Sequence, residues 1–153
     1  MFYYFDSSVA VKRYAPEMGS EWVEGIFALI EENTVYLGQI GAVEIAAALS
    51  KKVRTRELNQ EEYETALEAF LKNVQDEDFC MIPLGELVIQ EAVNLTRRYP
   101  LRGYDAVHLA TAVAVNRTLL ESALAALTFS SSDKILCEAA RGEGLMVYDP
   151  NEP

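Results

Sequence analysis

Four acidic residues of this chain stand where one regular element gives way to the next. They are Asp6 in FDSSVAVKRY, Glu44 in GAVEIAAAL, Asp105 in LRGYDAVHLATA and Asp133 in TFSSSDKILCEAA. Taken singly, each has an ordinary reading. Asp6, Asp105 and Asp133 suit the first turn of a helix, where capping and the helix dipole favour an acid. Glu44 suits it less, because it lies among apolar and small residues with no Lys or Arg within a helical turn. An unpaired buried carboxylate is costly, so Glu44 needs a partner. Two carboxylates about 5 Å apart repel by roughly 3 kcal/mol at an effective dielectric of about 20. Four together require protons or a bridging cation. All-oxygen donors of this kind suit Mg²⁺ or Mn²⁺ rather than zinc. The chemistry implied is metal-assisted phosphoryl transfer or phosphodiester hydrolysis.

The elements that must position these acids follow from hydrophobic pattern. FYYF (2–5) is a short continuous apolar run, as expected of a strand buried on both faces, and it ends on Asp6. TVYLG (34–38), FCMIP (79–83), ALTFS (126–130) and LMVYDP (145–150) read as further strands. Helices are expected over SVAVKRYAPE up to Pro16, 20–32, 42–53, 59/60–73, 85–98, 104–116 and SSDKILCEAAR, the last stopped by Gly142 and Gly144. Strands alternating with helices predict an α/β fold with a parallel sheet covered on both faces. Ligands of such folds gather beyond the carboxyl ends of the strands, where the acids fall.

Composition bounds the rest. A chain of 153 residues, half of them hydrophobic, is expected to form one globular domain burying roughly 70% of its unfolded surface. Two distant cysteines, Cys80 and Cys137, form neither a metal ribbon nor a disulfide framework, which fits a reducing compartment. No signal-peptide pattern opens the chain, and LLESALAALTF is too short and too interrupted to span a bilayer. The expected location is the cytoplasm, with no membrane partner. A formal charge of −11 argues against passive adhesion to nucleic acid. The exception is KKVRTR (51–56), whose Lys51 lies two turns, about 10 Å, beyond Glu44 on one helix face. Lys51 and Lys52 are therefore candidate nucleic-acid phosphate contacts, although cations also simply favour a helix C-terminus. His108, the sole histidine, reads as a supporting or packing residue rather than a general acid, and Ser7 as a helix cap. Tyr14, Trp22 and Phe27 read as core packing rather than a partner groove.

Two rival Mg²⁺ chemistries on parallel sheets fit less well. A HAD-type phosphatase needs a second Asp two residues after the first, where Ser8 stands. A receiver domain needs a lone phosphoacceptor after the third strand, where Pro83 and Leu84 stand.

Together the four acid-bearing segments resemble the PIN-domain family, especially its VapC toxin-type ribonucleases. The resemblance runs in order over nearly the whole chain, and DAVHLATA is its most specific piece. It implies a PIN-like fold, a central parallel β-sheet flanked by α-helices on both faces, as a single nuclease domain over 1–153. It implies Asp6, Glu44, Asp105 and Asp133 as the catalytic and metal-holding quartet for Mg²⁺ or Mn²⁺, with Asp6 and Asp105 the surest ligands. Ser131 fills the family's hydroxyl position ahead of Asp133, and Ser8 joins it in support. The implied activity is endoribonuclease cleavage of RNA by the toxin of a type II toxin–antitoxin pair. The implied partner is an antitoxin over the early helices, its basic tail drawn into the acidic cleft. The amphipathic stretch 60–73 and the apolar early helices add the expectation of a homodimer. The alternatives are a non-toxin PIN-domain nuclease and a catalytically silent PIN-like binding module; the intact quartet argues against the second.

Overall fold

The structure is a computed structural model that describes residues 1–152; the expected domain extent of 1–153 exceeds it by Pro153. Strands β1 (Phe2–Phe5), β2 (Thr34–Gly38), β3 (Cys80–Ile82), β4 (Thr128–Ser130) and β5 (Met146–Tyr148) form one sheet in the order β3-β2-β1-β4-β5. Every neighbouring pair is parallel, so all five strands end at the same edge. Helices α1 (Ser7–Ala10), α2 (Ser20–Ala28), α3 (Gln39–Arg54), α4 (Gln60–Gln75), α5 (Glu86–Arg98), α6 (Gly103–Glu121) and α7 (Lys134–Gly142) make the connections. The expected parallel α/β architecture is the one observed.

β1 is central because its side chains serve two cores. Tyr3 and Phe5 point into one, with Val9, Val23, Ile45, Leu49 and Phe70. Tyr4 points into the other, with Leu109, Leu127, Phe129 and Leu136. Alternation across a strand buried on both faces produces the uninterrupted apolar run. Phe5 is fully buried, and Phe5→Ala would cost about 3–5 kcal/mol.

From β1 the chain winds outward to β2 and β3, then returns to lay β4 on the opposite side. The crevice between the carboxyl ends of β1 and β4 is the switch point at which α/β folds bind ligands. Phe5 pairs with Ser130, and the Asp6 amide donates to the Ser130 carbonyl at 3.1 Å. Asp6 is thus placed at the crevice by the sheet ladder itself.

Helix ends differ from expectation where side chains intervene. α2 stops at Ala28 rather than near 32, and the Asn33 amide takes the Ile26 carbonyl at 3.0 Å. The expected helix before Pro16 is the short α1 continued by a 3-10 turn over Val11–Arg13. α6 runs past 116 to Glu121, because Leu119, 5% exposed, extends its buried stripe. α3 begins directly off β2 at Gln39 rather than near 42. A Cβ at Gly38 would come within 2.8 Å of the Tyr4 hydroxyl, so a glycine is needed where α3 leaves the sheet. α4 opens on a reciprocal capping box between Asn59 and Glu62. Trp22 stacks on Tyr148 at 4.3 Å, Tyr14 meets Phe70 edge-on, and Phe27 is buried.

Candidate active site

Asp6 forms the floor of the crevice. It is 4% exposed and is itself the N-cap of α1, the role expected of Ser7. Its Oδ1 accepts from the Ser8 hydroxyl at 2.6 Å and the Val9 amide at 3.0 Å. Its Oδ2 accepts from the Ser131 hydroxyl at 2.6 Å. The same hydroxyls also accept backbone amides at 3.0 Å, Ser8 from Ser132 and Ser131 from Asp133. Two serines therefore lash the β1 exit to the β4–α7 loop through one carboxylate. Burial raises the Asp6 carboxyl above its ordinary range, against the opposing influence of His108, the two serines and the Val9 amide.

Glu44 finds its partner on α6. Its Oε2 lies 2.6 Å from His108 Nε2, and His108 Nδ1 lies 2.9 Å from the Tyr4 hydroxyl. A carboxylate only accepts, so a neutral ring donates from Nε2 to Glu44 and accepts from the Tyr4 hydroxyl at Nδ1. Burial holds the Tyr4 phenol far above its usual value, which keeps it a donor. His108 is 1% exposed, while the Glu44 side chain retains 20%. The pair therefore presents one carboxylate edge from a buried polar chain.

Asp105 and Asp133 stand at the starts of α6 and α7. Asp133 caps α7 through Oδ1 and the Leu136 amide at 3.0 Å. Arg102 joins the two acids: Nε donates to Asp105 Oδ2 at 2.8 Å and Nη2 to Asp133 Oδ2 at 3.2 Å. With Ser7, Ser8, Ser132 and Tyr104, all four acids and Arg102 line a single cleft of roughly 350 Å³. The acids expected to converge do so.

The repulsion expected of them is relieved one side chain at a time. Asp6 is met by hydroxyls, Glu44 by an imidazole, and Asp105 and Asp133 by a guanidinium. So engaged, no three Asp, Glu, His or Cys side chains among the described residues are arranged to hold an ion. The donor set nevertheless fits a hard divalent cation: four carboxylates among hydroxyl oxygens, against one exposed arginine, at a strand-end cleft. Asp6 and Asp105, with Glu44 and Asp133 alongside, are the residues that could hold Mg²⁺ or Mn²⁺.

Neither candidate RNA-contact lysine lines the cleft. Lys52 is paired with Glu17 at 2.8 Å and Glu57 at 3.1 Å. Lys51 is exposed on α3. Sequence reasoning missed Arg102, Tyr104 and Tyr4. Arg102 was detectable as a cation one helical turn before Asp105, a spacing that brings side chains together.

The PIN domain family model matches residues 3–141. Ribonuclease VapC45 of Mycobacterium tuberculosis (strain CDC 1551 / Oshkosh) is 35% identical over 121 residues, covering 73% of this chain and 75% of that protein. Ribonuclease VapC49 of strain ATCC 25618 / H37Rv matches to the same extent. Among solved structures, VapBC2 from Rickettsia felis bound to a promoter DNA fragment aligns at TM-score 0.66 and 16% identity, covering 97% of this chain and 98% of that one. FitAcB from Neisseria gonorrhoeae aligns at 0.63 and 18%, covering 99% of each. These two show the fold, and the family model and curated relatives show the lineage. With its acids gathered at the switch point of a five-stranded parallel sheet, the chain belongs to the PIN-domain family.

Proposed function

We propose that this protein is a divalent-metal-dependent endoribonuclease and the toxin of a toxin–antitoxin pair. One observation carries the reading: Asp6, Glu44, Asp105 and Asp133 share one cleft at the β1–β4 switch point. The curated relatives named ribonuclease support the choice of RNA as substrate.

A bound Mg²⁺ or Mn²⁺ would polarise the phosphodiester and activate water. This chain's residues supply position and charge. Ser8 and Ser131 lock the Asp6 rotamer, and His108 holds Glu44 toward the cleft. Both hydroxyls are already engaged as donors and acceptors, so neither is free to attack. Water is the nucleophile: its oxygen bonds to phosphorus and gives up a proton to solvent, the bridging P–O bond breaks, and the leaving oxygen takes a proton from solvent. Lys51, exposed on α3, serves as an outer phosphate contact.

The partner is an antitoxin with a basic tail, which a net charge of −11 favours. Its seat is the groove between the 3-10 turn and α4, lined by Tyr14, Pro16, Leu58 and Ala66 with Glu61 and Glu62 at its rim. A homodimer forms through α5, where Ile89 and Val93 are exposed one helical turn apart. The protein acts in the cytoplasm; no helix among the described residues is long and apolar enough to cross a membrane.

The test is cleavage of a mixed RNA by purified protein, stripped of metal and then supplied with Mg²⁺ or Mn²⁺. Activity should vanish and return, and Asp6→Asn and Asp105→Asn should not recover it. Full cleavage by either variant, or cleavage indifferent to metal, would overturn the reading.

A further inference from the structure

Among the described residues, Arg102 is the one cation lining a cleft of four carboxylates. It spans acids from two elements, Asp105 on α6 and Asp133 at the head of α7. Both acids face it with Oδ2. The side chain is 78% exposed, so water screens both bonds. A pair this exposed is weak, because screening is strong and a long side chain loses rotamer freedom when held. With so much of its surface in water, the guanidinium has room to leave the two acids.

Two facts then stand together. The cleft needs positive charge at Asp105 and Asp133, and the group now supplying it is held loosely. A divalent cation on the same carboxylates would offer more charge at shorter range, and both cannot occupy Oδ2 of the two acids. The displaced guanidinium would remain at the cleft mouth. There it would meet a substrate whose backbone is anionic, and its planar fork suits phosphate oxygens.

We propose that Arg102 is an exchangeable counter-ion: it holds Asp105 and Asp133 until a divalent cation takes them, and the released guanidinium then grips an RNA phosphate flanking the scissile one. This rests on the metal-dependent ribonuclease reading above and adds a residue to it. Arg102 couples two events, since metal entry liberates the side chain that receives substrate. Without metal the arginine is spent on the acids, and the cleft offers RNA only negative charge.

The experiment uses Mg²⁺ alone as its first probe and needs no cleavage. Mg²⁺ is titrated into the wild-type protein while the Arg102 Nε–H resonance is followed by NMR. Calorimetry compares wild type with Arg102→Ala and Arg102→Gln. The Nε–H signal should move from its bonded to its free position as Mg²⁺ binds. Both variants should bind Mg²⁺ more tightly, by up to about fivefold for each of the two exposed ion pairs lost. Both should also raise KM for single-stranded RNA, and the slope of log(kcat/KM) against log[salt] should fall by about one phosphate's worth. Mg²⁺ bound by wild type with an unmoved Nε–H signal, or equally tightly by the variants, would overturn the exchange while leaving the metal reading standing. Mg²⁺ bound by none of the three proteins would overturn that reading and the exchange with it. Tighter Mg²⁺ binding with unchanged KM and salt slope would overturn the substrate half of the proposal.

Discussion

His108 Nε2 lies 2.6 Å from Glu44 Oε2, across 64 residues of sequence. The contact joins α6 to α3 and gives the lone glutamate of an apolar helix its partner. Behind it the Tyr4 hydroxyl holds Nδ1, so the ring cannot turn without losing both bonds. His108→Phe should leave Glu44 undirected and take the imidazole acceptor from the Tyr4 hydroxyl, costing about 1–3 kcal/mol of stability. RNA turnover should fall by about 10–100-fold. His108→Gln, which offers an amide N–H toward Glu44, should recover part of the rate. Steady-state cleavage beside thermal melts checks this; undiminished kcat in the Phe variant would remove the orienting role.

Ser131 is the hinge of the floor, donating to Asp6 and accepting from the Asp133 amide. Ser131→Ala should orphan that amide, free Oδ2 of Asp6 and lower stability by about 1–3 kcal/mol. Turnover should drop about 10–100-fold with Mn²⁺ affinity falling in parallel. An affinity unaltered in calorimetry would show that Asp6 needs no such support.

Tyr104 stands 60% exposed at the mouth of the cleft beside Asp105. An exposed aromatic ring at an RNA-cleaving site offers a platform for an unpaired base. Tyr104→Ala should weaken single-stranded RNA binding by about 1–3 kcal/mol, and Tyr104→Phe should preserve it. The melting temperature should not change, because the ring packs in neither core. Equal affinities for all three proteins in fluorescence anisotropy would dismiss the platform.

Lys12 is 3% exposed and carries its charge inside the fold, bonded to Glu17 at 2.9 Å, the Met18 carbonyl and Asn151. Glu17 answers Lys12 and Lys52 together. Burial pushes the Glu17 carboxyl up, but the bonds from the two lysines outweigh it and hold the group below its ordinary value. A carboxyl depressed in the folded state contributes stability above its unfolded pKa and loses it as pH falls through the folded pKa. Glu17→Gln should therefore destabilise the protein at pH 7 by about 1–2 kcal/mol, below the cost of breaking a fully buried pair because Glu17 is partly exposed. The gap from wild type should close below about pH 4. Melts from pH 7 to pH 3 that keep a constant gap would contradict the linkage.

What the sequence determined about this protein was local. β1 and β2 occupy the expected 2–5 and 34–38, because alternation and apolar runs are properties of adjacent residues. Asp6 and Asp133 cap helices and Asp105 lies in a first turn, since helix starts carry their own signals. That all these acids gather at one edge followed from the strand–helix alternation of a parallel sheet. Which polar group each acid takes as partner was decided only by the tertiary structure. Glu44 meets a histidine on another helix, Arg102 ties Asp105 to an acid 31 residues beyond itself, and Lys52 turns to Glu17 rather than toward the cleft. Hydrophobic periodicity places an element against the sheet, whereas a hydrogen bond requires two atoms within about 3 Å. That distance is set by how helices far apart in sequence pack across the same edge, and no local pattern encodes it.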